Sequence, residues 1–141
     1  MQGFTLLELL AALALLAMIA TLALPLLRPA PAGLRMEDIA RKMAGGLRLA
    51  RAEAIGGNED RVFTVDTSRK TYESNATGIV QLPGEIAIDL VVADGEKTGP
   101  ARGGFRFHPG GGSTGGSIHL KLDAREAHIE VGWLSGEARV R

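Results

Sequence analysis

An α+β fold behind an N-terminal apolar helix is predicted by three patterns in this 141-residue sequence. The stretch from Leu9 to Leu27 carries no charged residue. Apolar residues then recur at a spacing of about 3.5 between Met36 and Ile55. From Arg61 onward the period drops to two, in short runs separated by glycine-rich turns. The order implies a long hydrophobic helix continuing into an amphipathic one, packed on an antiparallel β-sheet or a two-sheet domain.

The first element runs from Phe4 to Leu27, about 36 Å as a helix, against a hydrocarbon core of about 30 Å. Glu8 interrupts it near one end. An isolated carboxylate in such a segment costs a few kcal/mol and therefore implies a partner. Arg28-Pro29-Ala30-Pro31-Ala32-Gly33 reads as a break at the membrane surface, its prolines favouring extended backbone. The second helix follows from Met36 to Ile55. Met36, Ile39, Ala40, Met43, Leu47, Ala50 and Ala54 form its apolar face, and Arg41, Lys42, Arg48, Arg51 and Glu53 fall largely on the rest. Gly45-Gly46 weakens its middle by about 1 kcal/mol per glycine. Gly56-Gly57 is the expected stop.

Arg61–Asp66 and Lys70–Ser74, flanking Thr67-Ser68-Arg69, predict a hairpin. Ile86, Ile88, Leu90 and Val92 alternate with Ala87, Asp89 and Val91 as a half-buried strand. Phe105 and Phe107 flank Arg106 in the same manner. Ile118, Leu120 and Leu122 alternate with His119 and Lys121. Ile129, Val131 and Trp133 alternate with Glu130 and Gly132, which places Trp133 in the core. Ala138 and Val140 close the series. The resulting division is a membrane-length helix at 4–27, a linker and amphipathic helix at 28–57, and a β-rich domain at 58–141.

Composition narrows the function. No cysteine is present, so neither a disulfide framework nor a thiolate metal site is available. Sixteen basic residues balance sixteen acidic ones, so bulk charge supplies no argument for nucleic acid or anionic lipid. His108, His119 and His128 lack HxxxH or HxH spacing and are expected to be surface histidines, with no metal site. Asp89, Asp94, Glu96 and Asp123 do not form a run of alternating calcium ligands. Ser113, Ser117 and Ser135 have no His and acid partners in a recognisable arrangement. Gly110–Gly116 is glycine-rich without the Lys-Ser/Thr ending of a phosphate loop, and is expected to be a flexible hairpin connection. No enzymatic activity and no cofactor are expected.

The stretch Gly3-Phe4-Thr5-Leu6-Leu7-Glu8, with the apolar run behind it, resembles the processing site of type IV pilins and of the pseudopilins of type II secretion. The resemblance implies cleavage by a prepilin peptidase between Gly3 and Phe4, N-methylation of Phe4, and Glu8 as the fifth mature residue. Phe4 and Glu8 would carry assembly. In a staggered filament the carboxylate of one subunit would face the methylated amine of its neighbour, cancelling two buried charges. Pro25 suits the family, whose helices often carry a proline near this depth. The leader Met1-Gln2-Gly3 departs from it in lacking Lys or Arg. Either the Met1 amino group suffices, or the true start lies upstream.

Leu47-Arg48-Leu49-Ala50-Arg51-Ala52-Glu53-Ala54-Ile55 followed by Val62 resembles the helix-to-strand segment of H-type minor pseudopilins. So do Phe105–Ile118 and Ile129–Gly136, although Gly110 stands after Pro109 where the family commonly has an acidic residue. The resemblance implies a pilin-like fold. It also implies a single-pass protein of the bacterial inner membrane with a periplasmic domain, assembled near the tip of the pseudopilus that exports folded proteins across the outer membrane. Its partners would be other minor and major pseudopilins, the prepilin peptidase, the inner-membrane assembly platform and secreted cargo. A minor pilin of a type IV pilus or DNA-uptake machine shares every N-terminal feature. Glu126, Glu130 and Glu137 near Arg139 and Arg141 argue against a basic DNA-binding surface.

Overall fold

The computed structural model describes residues 5–23 and 32–141. They fall in two compact units divided at Pro31. In the first unit, α1 spans Leu6–Ala23. At 1.5 Å per residue its 18 residues rise about 27 Å. By length and composition it is apolar enough to cross a membrane. Phe4, the stretch Leu24–Leu27 with Pro25, and the expected break from Arg28 to Pro31 lie outside the described residues.

The second unit opens with α2, Ala32–Gly57. It starts four residues before the predicted Met36 and takes Gly33 into its first turns, correcting the expected linker boundary. The predicted face is its buried face: Met36, Ile39, Ala40, Met43, Leu47, Ala50 and Ala54 are all buried, joined by Ala44. The helix ends as expected near Gly56-Gly57, but the left-handed residue is Asn58, at φ 50°. The Glu59 N–H donates to the Ala54 carbonyl at 3.3 Å, closing a Schellman-type cap. Asn tolerates this conformation better than most residues with a Cβ.

Nine strands follow: β1 Arg61–Asp66, β2 Thr71–Ser74, β3 Gly78–Gln81, β4 Ala87–Val92, β5 Lys97–Gly99, β6 Arg102–Phe107, β7 Gly116–Leu122, β8 Arg125–Val131 and β9 Ala138–Val140. They form two antiparallel sheets, one in the order β3-β2-β1-β6-β5 and the other β4-β7-β8-β9. The predicted hairpin is β1–β2, with Val65 opposite Tyr72. The chain crosses between sheets after β3, after β4 and after β6. α2 contacts β1, β2 and β6 of the larger sheet and β7, β8 and β9 of the smaller, so one helix face closes both inner faces. Phe63, Phe105, Phe107, Ile118, Leu120 and Ile129 are fully buried there. At about 1.5–3 kcal/mol per large apolar side chain, this shared interior dominates the stability of the unit.

Two expectations are corrected. Trp133 is 70% exposed, because β8 stops at Val131 and the next residues turn. The Gly136 N–H donates to the Gly132 carbonyl at 2.7 Å, bending the chain before the alternation can continue. The glycine-rich segment after Phe107 does fold back on β6, with Phe107 bridged antiparallel to Ser113 and the Thr114 N–H donating to the Arg106 carbonyl at 2.9 Å, but it then leads into β7 of the other sheet and so does not join two neighbouring strands of one sheet.

Candidate assembly site

The start of α1 is organised by Thr5. Its hydroxyl oxygen accepts from the Glu8 backbone N–H at 3.3 Å, while its carbonyl accepts from Glu8 and Leu9 at 3.1 and 3.2 Å. Thr5-Leu6-Leu7-Glu8 has the spacing of a capping box, a local signal that sequence reasoning passed over in favour of Glu8 alone. Glu8 occupies the first turn, where the helix dipole favours a negative charge.

α1 carries two polar side chains, Glu8 and Thr21. The Thr21 hydroxyl donates to the Met18 carbonyl at 2.8 Å and is thereby compatible with an apolar surround. The Glu8 carboxylate has no hydrogen-bond or ion-pair partner among the described residues. Leu7, Leu9 and Leu10 beside it are exposed, and no residue of α1 is buried. Among the described residues, such a helix presents one carboxyl group without a partner on an apolar surface. Of the site residues expected from sequence, Glu8 is thus placed at the helix start; Gly3 and Phe4 lie outside the described residues.

In the second unit the polar face of α2 clamps two chain segments. The Arg51 Nε donates to the Gly111 carbonyl at 2.9 Å, and the Arg48 guanidinium to the Ala138 carbonyl at 2.9 Å. The Ser113 N–H donates to the Trp133 carbonyl at 2.8 Å and its hydroxyl to the Gly132 carbonyl at 3.1 Å. The glycine crossover is therefore tied to the helix and to the β8–β9 turn, not loose. Trp133 and Leu134, 70% and 75% exposed, project from that fastened turn. This pair of exposed apolar side chains was missed because the twofold pattern pointed Trp133 inward.

The remaining candidates separate clearly. Asp94 pairs with Lys97 at 2.6 Å, and that hydrogen bond holds its carboxyl below the usual carboxylate range. Glu96 receives the Arg106 Nε at 2.7 Å, which in turn raises the Arg106 guanidinium. His108 faces Asp60 at 3.1 Å. His119 and His128, unrelated in the sequence reading, are brought together: their Nδ1 atoms stand 3.2 Å apart. Among the described residues no group of three or more His, Asp or Glu side chains could hold a metal ion.

Comparison with known proteins then assigns the chain. Residues 40–135, spanning most of α2 and the strands through β8, match the family described as Type II transport protein GspH. The chain belongs to the GspH family. Residues 1–24 of this GspH-family chain match the prokaryotic N-terminal methylation motif. It is 29% identical over 139 residues to the type II secretion system protein H of Xanthomonas campestris pv. campestris, covering 99% of this chain and 82% of that one. The fold resembles that of the minor pseudopilin EpsH from the type II secretion system of Vibrio cholerae, with a TM-score of 0.60 at 14% identity, covering 78% of this chain and 95% of that one. The type IV minor pilin FimU of Pseudomonas aeruginosa is less similar, with a TM-score of 0.52 at 13% identity over 74% of this chain and 91% of that one. The pilin-like α+β fold and the H-type resemblance read from the sequence are both borne out.

Proposed function

We propose that this GspH-family chain works as a minor pseudopilin of the type II secretion pseudopilus. It is made as a single-pass inner-membrane precursor with its β-rich domain in the periplasm. The prepilin peptidase cuts it between Gly3 and Phe4, and Phe4 is N-methylated. Beside other pseudopilins, near the filament tip, it helps move folded proteins across the outer membrane.

The observation that carries this reading is the Glu8 carboxylate, without a partner among the described residues, at one end of an apolar helix. A buried charge without a counter-charge is costly, and the new amino terminus at Phe4 of a staggered neighbour would neutralise it. Membership of the GspH family and the likeness to a type II secretion system protein H support the role of a structural subunit.

The test is made in the native host. Deletion is expected to abolish secretion of folded enzymes and to leave pilus-dependent motility and DNA uptake intact, and mass spectrometry is expected to find mature protein beginning at methylated Phe4. Glu8→Ala is expected to be inserted and processed but left out of the filament. Preserved secretion with lost motility or uptake would move the chain to a type IV pilus machine. A membrane product still beginning at Met1 would remove the processing step.

A further inference from the structure

We propose that His119 and His128 form a bidentate site for a divalent transition-metal ion on the outer face of the four-stranded sheet. The two residues are direct partners in the β7–β8 register. The His128 N–H donates to the Arg141 carbonyl and its carbonyl accepts from the Arg141 N–H, so both backbone groups of His128 point away from β7. His119 and His128 are therefore a non-hydrogen-bonded antiparallel pair, the kind whose side chains stand closest. Their ring centroids lie 4.0 Å apart with the planes tilted by 56°. Neighbours on either side along the strands, Ile118, Leu120, Ala127 and Ile129, are buried, which fixes the two imidazoles on the opposite, outer face.

The Nδ1 separation of 3.2 Å is the deciding distance. Two nitrogens each about 2.0–2.1 Å from one zinc ion, at an angle of about 90–110°, stand about 2.9–3.4 Å apart. The nitrogen separation matches the bite of a chelate, and rotation of the rings about their side-chain bonds would aim both lone pairs at one ion without a change in backbone. In a hydrogen bond between the rings one Nδ1 carries the proton and the other accepts it, whereas a metal ion takes both Nδ1 lone pairs at once, with the ring protons on Nε2. Nickel, copper and zinc all accept neutral imidazole, with copper the tightest at a given site.

The charges around the pair favour a cation. Asp89 on β4 is opposite His119 in the register and makes no ion pair among the described residues. Glu126 and Glu130 flank His128 along β8. Of the nearby cations, Lys121 is engaged by Glu126 at 3.5 Å and Arg141 by Glu130 at 3.6 Å. Among the described residues no third His, Asp or Glu side chain converges on the pair, so water or a donor from another molecule would complete the coordination.

The full-length chain in detergent micelles is titrated with zinc chloride and with nickel chloride near pH 7.5 by calorimetry. One ion per chain is expected. His119→Gln and His128→Gln are each expected to weaken binding at least tenfold, while His108→Gln, in a different pair, leaves it unchanged. The imidazole resonances of His119 and His128, but not those of His108, are expected to shift when zinc is added to the wild type. Absence of binding, or binding that survives in the double variant, overturns the site. The resonance experiment stands even where a variant folds poorly.

Discussion

Gly46 lies against the ring of Phe63: a Cβ built on Gly46 would stand 2.8 Å from Phe63 Cε2 and 3.3 Å from the Thr77 methyl. Phe63 is fully buried and stacks on Tyr72 with ring centroids 5.3 Å apart, so it has little room to retreat. The glycine that weakens α2 locally is thus what lets the helix approach β1. Gly45, its neighbour, faces open space. Gly45→Ala is expected to stabilise the fold by up to about 1 kcal/mol through helix propensity alone. Gly46→Ala is expected to lose about 1–3 kcal/mol through overpacking despite the same propensity gain. Thermal denaturation of the two variants side by side checks the sign of each. A stabilised Gly46→Ala would mean that helix and sheet pack less closely than described.

Arg51 bridges α2 to the glycine crossover through the Gly111 carbonyl. The same carbonyl and the Arg51 stem crowd Gly136, which sits at φ 64°. Three segments distant in sequence therefore meet at one guanidinium. Arg51→Met keeps the aliphatic stem and removes the donor, and is expected to cost about 1.5–3 kcal/mol, the range for a hydrogen bond made by a charged group. Hydrogen exchange at Gly111 and Ser113, whose N–H groups donate to the His108 and Trp133 carbonyls, is expected to quicken. Gly136→Ala is expected to cost more, since it adds a left-handed alanine to a steric clash. Unchanged exchange in Arg51→Met would show that the Ser113 bonds to the β8–β9 turn hold the crossover by themselves.

Asp66 closes the β1–β2 hairpin. Its Oδ1 accepts from the Arg69 N–H at 2.8 Å, the Ser68 hydroxyl at 2.7 Å and the Ser68 N–H at 3.0 Å. The Arg69 backbone bond, followed by the Ser68 hydroxyl, holds the carboxyl below its usual range. A carboxylate whose folded pKa is depressed contributes stability above its unfolded pKa of about 3.9, and that contribution fades as pH falls through the lower folded value. Asp66→Ala is expected to lower the melting temperature at pH 7, with the gap to wild type narrowing only below the ordinary carboxylate range. Asp66→Asn keeps an acceptor oxygen and is expected to lose less. Melting curves from pH 7 down into acid check this, and a gap independent of pH would assign the effect to turn propensity.

How much could be read from the chain follows from what periodicity encodes. The spacing from Met36 to Ala54 identifies the buried face of α2 because every turn of it meets the same interior. Alternation in Ile118–Leu122 and Ile129–Val131 likewise reports which side faces inward. It does not report which strand lies beside which, so the division into two sheets was left open. β3 and β5 were missed because they are short edge strands: Ile79 is 74% exposed, and Lys97–Gly99 is exposed throughout. The His119–His128 pairing was within reach. Leu122 pairs with Arg125 across the two-residue turn Asp123-Ala124, with Asp123 at φ 54°, and counting back three positions from each side puts His119 opposite His128. At α1 the roles inferred for Gly3 and Phe4 rest on the motif, whereas Thr5 as the helix cap required the hydrogen bonds.

Trp133 is where pattern and structure part most sharply, and it makes the most direct test of the β8–β9 turn. The indole extends the alternation of Ile129 and Val131, yet it lies beyond the strand end and is 70% exposed, whereas Ile129 is fully buried. Surface truncations away from caps and networks change stability by about 0.5 kcal/mol or less, while removing a buried isoleucine side chain costs about 2–5 kcal/mol. Trp133→Ala is therefore expected to leave the urea midpoint followed by circular dichroism nearly unchanged, and Ile129→Ala to lower it strongly. Trp133 is the sole tryptophan, so the fluorescence of the folded protein should already resemble that of a hydrated indole and should barely shift on unfolding. A blue-shifted native emission, or a loss in Trp133→Ala comparable to Ile129→Ala, would return the indole to the core. If both measurements agree with exposure, Trp133 and Leu134 form an apolar pair held out by the Ser113–Trp133 and Gly132–Gly136 backbone bonds, and its retention on the surface is a property of the turn and not of β8.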